Sequence, residues 1–156
     1  MALKCGSNYQ NMSKAGKILI VDDDEHILLS AQLLLEEKFE VVVTLNDPAE
    51  VDRTIAKSDF NLFLLDMNFS NGETSGKEGL ELLQKINKEV PAASIIMMTA
   101  YGEVNAAVEA MKFGATDFIT KPWENERLLA SVSNSLDLAF QRSEITTLRS
   151  RQDALS

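Results

Sequence analysis

Five short apolar runs recur along the 156 residues: KILIV at 17–21, VVVTL at 41–45, NLFLLD at 61–66, SIIMMTA at 94–100 and DFIT at 117–120. None alternates apolar with polar residues, as a strand with one wet face would, so each reads as a strand buried on both faces. Between them, apolar residues return at the three-and-four spacing of amphipathic helices: Ile27, Leu28, Ala31, Leu34 and Leu35; Leu80, Leu82, Leu83, Ile86 and Val90; Val104, Ala107, Val108 and Met111. Asn46 or Asp47 caps a further helix with Pro48 in its first turn, running to about residue 57, and Leu128, Leu129, Val132 and Leu136 mark a closing one from near Glu124. Pro91 and Gly114 end the third and fourth. Parallel neighbours need helical crossovers, so this order predicts an α/β, doubly wound parallel sheet.

A formal charge of −9 and a pI near 4.6 repel polyphosphate, so direct nucleic-acid binding by this chain is disfavoured. Cys5 stands alone and permits no internal disulfide, which suits a reducing cytoplasmic compartment. No apolar stretch reaches the roughly 18 residues a membrane span requires. Residues 1–14 read as a disordered leader, a cloning scar or a short natural extension, with Met12 a sensible start; residues 15–140 form the folded unit and 141–156 a helical extension.

In open α/β sheets, ligands bind outside the carboxyl ends of the strands. Those ends carry Asp22, Asp23 and Asp24 after the first run, Asp66 after the third, Thr99 and Ala100 after the fourth, and Lys121 with Pro122 after the fifth. Crowded carboxylates raise one another's pKa, a cost that a cation offsets; hard oxygen ligands of this kind suit Mg²⁺. Each residue also has a plainer reading. A DDD run is an ordinary turn and helix cap, a role left to Asp24; Thr99 suits any strand, Phe118 any core, and Lys121 a surface turn. His26 reads as a solvent-facing residue of the first helical turn and Met97 and Met98 as core fillers.

ILIVDDDE, LFLLDMN, IIMMTAYG and DFITKPW, in this order and at these separations, resemble the receiver domain of two-component response regulators, over about residues 15–140. The resemblance implies a flavodoxin-like sheet of order 2-1-3-4-5 with five helices. It also implies that Asp66 accepts a phosphoryl group, that Asp22, Asp23, Asp66 and the backbone carbonyl of Asn68 hold Mg²⁺, and that Thr99 and Lys121 bond phosphoryl oxygens. Phe118 matches an aromatic switch that follows Thr99, and Lys121–Pro122 a cis bond. The implied partner is a sensor histidine kinase; the implied output is a changed face of helix four, strand five and helix five. A chain of this kind catalyses only its own phosphoryl transfer and dephosphorylation, and is otherwise no enzyme. Two departures stand out: the loop NFSNGETSG at 68–76 is long, and the bulky Tyr101, two residues after Thr99, is expected to hinder water.

A small Mg²⁺-dependent phosphatase with an Asp nucleophile is the rival from another class, but it would place that residue after the first strand. A stand-alone receiver acting by protein contacts is the other alternative to a regulator of transcription. In the tail, Leu138 and Ile145, then Leu148 and Leu155, stand seven apart and Ile145 and Leu148 three apart, the spacing of a coiled-coil seam on which Gln141 and Gln152 also fall. Two heptads suit an isolated frayed helix as well as a paired one; the resemblance to regulators similar to the nitrogen-control activators implies a homodimer through that helix or through the face of helix four, strand five and helix five.

Overall fold

The computed structural model describes residues 14–69 and 76–155. Five strands, β1 (Lys14–Val21), β2 (Phe39–Leu45), β3 (Leu62–Asp66), β4 (Ser94–Ala100) and β5 (Asp117–Lys121), form one parallel sheet of order β2-β1-β3-β4-β5. The crossovers carry α1 (Glu25–Glu36), a 3₁₀ turn (Pro48–Glu50) running into α2 (Val51–Lys57), α3 (Lys77–Glu89) and α4 (Val104–Lys112); α5 (Asn125–Leu155) closes the chain. The fold is the α/β sheet the apolar runs predict. Most of the leader, and the centre of the long loop after Asp66, lie outside the described residues.

Both faces of the sheet are covered because successive strand residues point to opposite sides. Leu19, Val21, Phe63, Leu65, Ile95 and Met97 pack with Val51 of α2, Leu82, Leu83 and Ile86 of α3, and Ala106 and Ala110 of α4. On the other face Ile18, Ile20, Leu62, Leu64, Ile96, Met98 and Ile119 meet Leu28, Ala31 and Leu35 of α1 and Leu128, Val132 and Leu136 of α5. Met97 and Met98 are core fillers on opposite faces, as expected.

Asp24 caps α1, its carboxylate accepting from the His26 N–H at 2.9 Å, and Asp47 caps the 3₁₀ turn through the Ala49 N–H at 2.9 Å. Two expectations need correction. β1 starts at Lys14, before the apolar run, with a register shift between Lys14 and Lys17 where Gly16 adopts φ 121°. In α4 the core is met by Ala106, Ala107 and Ala110, whereas Val104, Val108 and Met111 are exposed. Small residues let the helix lie close to the sheet, which turns the larger ones outward.

Candidate functional site

The carboxyl ends of β1, β3, β4 and β5 gather the acidic run, Asp66, Thr99 and Lys121 at one edge of the sheet. In-register pairing puts Asp66 opposite Met98, and Ala100 opposite Lys121, so Thr99 stands between the Asp66 and Lys121 strand ends. Lys121 Nζ donates to Asp22 Oδ2 at 2.5 Å and to Asp66 Oδ1 at 3.0 Å. One carboxylate oxygen from each of Asp22, Asp23 and Asp66 lies within 4.8 Å of the others. Asp22, Asp66 and Thr99 are buried, whereas Asp23 opens to solvent. The Lys121–Pro122 bond is cis.

These neighbours set the protonation balance. Burial pushes the Asp66 carboxyl above the usual range, against the pull of Lys121 and of the Asn68 backbone N–H. Burial raises Asp22 likewise, opposed by its bonds to Lys121 and the Asp24 N–H, the latter at 2.9 Å. Asp23 is raised by desolvation and by its neighbour Asp22. For Lys121, burial favours the neutral amine, but Asp22 and Asp66 together outweigh it and hold the ammonium above its ordinary value. Three carboxylates facing one ammonium leave the edge short of positive charge, and an all-oxygen donor set of this kind fits a hard divalent cation.

Phe118 stands apart from this cluster, and Asn68 touches it through its backbone while its side chain bonds elsewhere. Asn68 ties the loop after β3 to the loop after β4: its Oδ1 accepts from the Gly76 N–H at 2.7 Å and its Nδ2 faces Glu103 Oε1 at 3.5 Å. Glu103 Oε2 in turn accepts from the Ala100 N–H at 3.3 Å, next to Thr99. Phe118 lies on β5 and is 36% exposed. Tyr101, two residues beyond Thr99, is 88% exposed.

The sequence reading passed over Gly79. A Cβ there would lie 2.5 Å from the Met67 carbonyl oxygen and 2.8 Å from that of Asp66, so only glycine lets α3 rest against the strand end carrying Asp66. Its N–H donates to the Met67 carbonyl at 2.9 Å. The available signal was an isolated glycine inside the helical pattern KEGLELL.

The family model of the response regulator receiver domain matches residues 18–133. The chain belongs to that family. Among curated relatives, it is 31% identical over 140 residues to the alginate biosynthesis transcriptional regulatory protein AlgB of Pseudomonas syringae, covering 90% of this chain and 29% of that protein. It is 34% identical to the nitrogen assimilation regulatory protein NtrX of Azorhizobium caulinodans, covering 86% of this chain and 29% of that one. Against the solved structure of NtrX from Brucella abortus with ADP, the TM-score is 0.79 at 28% identity, over 90% of this chain and 30% of that chain. A signal receiver domain of a two-component response regulator from Bacteroides fragilis aligns with TM-score 0.71 and 36% identity, over 79% of this chain and 98% of that chain. The receiver thus spans under a third of the AlgB and NtrX relatives it matches. No helix among the described residues is long and apolar enough to cross a membrane.

Proposed function

We propose that the chain is a cytoplasmic phosphoacceptor switch in which Asp66 takes a phosphoryl group from the phosphohistidine of a sensor histidine kinase. The observation that carries this is the Asp66 carboxylate, buried at the end of β3, 3.0 Å from Lys121 Nζ and grouped with Asp22 and Asp23. An Asp66 oxygen attacks phosphorus, forming the P–O bond as the P–N bond to imidazole breaks. The ring nitrogen keeps that electron pair and takes up a proton. A carboxylate is a poor nucleophile toward an anionic phosphoryl group until charge is offset.

Lys121 supplies part of that offset by donating to the oxygens that gain charge. Asp22, Asp23, Asp66 and the Asn68 carbonyl are the groups that would hold Mg²⁺, which when bound neutralises phosphoryl oxygens. Thr99 donates its hydroxyl to the transferred group. That pull draws the β4 end inward and frees space for Phe118, which changes the face of α4, β5 and α5. Val104, Val108, Met111 and Phe118, exposed on that face, support its use as a contact surface, a second copy of the chain being one partner. The output follows the relatives' names and is control of transcription, and the chain performs no other catalysis. Intact-mass measurement after acetyl phosphate with Mg²⁺ is expected to show one added phosphoryl that Asp66→Asn abolishes. Labelling that persists in the variant overturns the assignment.

A further inference from the structure

Glu103 stands at the cap position of α4 without capping it. A residue there ordinarily offers a side-chain oxygen to the first N–H groups of its own helix, yet the Glu103 carboxylate makes no such bond. It is turned back instead: Oε2 accepts from the Ala100 N–H at 3.3 Å and Oε1 faces Asn68 Nδ2 at 3.5 Å. The main chain closes the same turn, the Glu103 N–H donating to the Ala100 carbonyl at 3.1 Å. We infer that Glu103 is a positioning residue whose carboxylate stands in, at rest, for a phosphoryl oxygen on Asp66: it occupies the Ala100 N–H and holds the loop after β3 until the phosphoryl group takes that N–H over. The inference rests on the phosphoacceptor reading and adds to it the group that phosphorylation displaces.

Both partners of Glu103 lead to the site. Ala100 follows Thr99 and pairs with Lys121, so its N–H is a backbone donor at the strand end that carries the Thr99 hydroxyl, beside the root of the Lys121 ammonium. Asn68 bonds the Asp66 carboxyl through its own N–H, while its side-chain Oδ1 is committed to the Gly76 N–H at 2.7 Å. One carboxylate therefore bridges the two loops that flank Asp66 and Thr99. Charge makes that bridge exchangeable. The edge already sets three carboxylates against one ammonium, and a phosphoryl group carrying up to about two negative charges repels a fourth carboxylate while offering the N–H a stronger acceptor. With Glu103 released, α4 loses this tie to the loop after β3, so the helix that exposes Val104, Val108 and Met111 is freed at its amino end by the same event.

The test reads solvent exchange of the Ala100 amide by NMR and acetyl-phosphate labelling by intact mass, both with Mg²⁺. In wild type the amide is expected to be protected with and without the phosphoryl group. In Glu103→Ala its exchange is expected to rise roughly tenfold at rest and to return to the wild-type rate once Asp66 is labelled, because a phosphoryl oxygen then holds the N–H. A carboxylate that merely closed a turn would leave the variant's amide unprotected in both states. Glu103→Gln keeps an acceptor of the same length without the charge, so it is expected to retain protection at rest and to label about threefold faster, the scale on which one unit charge acts at a solvated rim. Resting exchange unchanged in Glu103→Ala, protection that does not return on labelling, or Glu103→Gln labelling no faster than wild type each overturns the proposal. A wild type that takes up no phosphoryl group overturns the phosphoacceptor reading with it, whereas the resting exchange rate needs no phosphoryl group and fails only with the Glu103 contact.

Discussion

Replacing Lys121 by Met removes the one ammonium that bonds both Asp22 and Asp66 while keeping the length and most of the volume of the side chain. With Asp22, Asp23 and Asp66 ionised, the edge carries −2 in the presence of Lys121 and −3 in its absence. Taking one partner from a buried ion pair costs 3–5 kcal/mol in general, and the lower end, about 3 kcal/mol, applies here because Asp23 is open to water and solvent reaches the lysine. At about 3 °C per kcal/mol for a chain of this size, the melting point is expected to fall by about 9 °C in EDTA at neutral pH. Mg²⁺ is expected to recover much of the loss, since a ligand at a hundred times its Kd contributes about 2.7 kcal/mol. The pH trend has a definite sign. Asp22 and Asp66 have folded pKa values raised above 3.8, so they favour the folded state below that value and lose this contribution as pH rises through the raised values. The deficit of the variant therefore shrinks as pH falls toward 4, where the carboxyls accept protons in place of the ammonium. The assay is thermal unfolding with and without EDTA at several pH values. A variant as stable as wild type at neutral pH without metal would refute the ion-pair account of this edge.

In a calorimetric titration, Asp22→Ala and Asp23→Ala are each expected to weaken Mg²⁺ binding at least tenfold, whereas Asp24→Ala, which loses only a helix cap, lowers stability by about 1 kcal/mol and leaves the titration unchanged. Gly79→Ala is expected to cost about 3 kcal/mol in urea unfolding and to slow acetyl-phosphate labelling of Asp66, because the new methyl meets the Met67 and Asp66 backbone. Thr99→Ala is expected to keep one phosphoryl per chain by intact mass yet lose the chemical-shift change at Phe118 that labelling produces in wild type. Mg²⁺ affinity is expected to fall as pH drops through the raised pKa values of Asp22 and Asp66, which is checked by repeating the titration between pH 7 and pH 4.

The sheet and its functional edge were legible because both are written in one-dimensional contrasts. An unbroken run such as SIIMMTA has no wet face, and a charged residue directly behind such a run must lie at the strand end. Asp22, Asp66 and Lys121 could be placed on one edge by that logic, before any distance was known. Close approach left a weaker trace. Gly79 is a single missing Cβ inside a good helix, and nothing in its neighbours tells which backbone comes near. The α4 stripe was misread for a related reason: Val104, Val108 and Met111 carry the hydrophobicity, but Ala106, Ala107 and Ala110 carry the fit. Hydrophobic spacing ranks residues by transfer energy, whereas the distance between helix and sheet is set by side-chain size. The start of β1 in the polar KAG stretch escaped notice because those residues are held by pairing with β2, a long-range partner absent from the local pattern.

α5 is one unbroken helix from Asn125, four residues past Lys121, to Leu155. Its root is clamped by buried Leu128, Val132 and Leu136, by the Ser94 hydroxyl on the Ser135 carbonyl at 2.6 Å and by the Arg142 guanidinium on the Ala93 carbonyl at 3.4 Å, and its outer half is exposed to solvent. That makes it a lever with its fulcrum in the core. The outer fifteen residues measure about 22 Å, so a tilt of about 10° at the root carries the far end by about 4 Å. A shift that is minor at the sheet edge becomes, at that end, a displacement comparable to the width of a side chain.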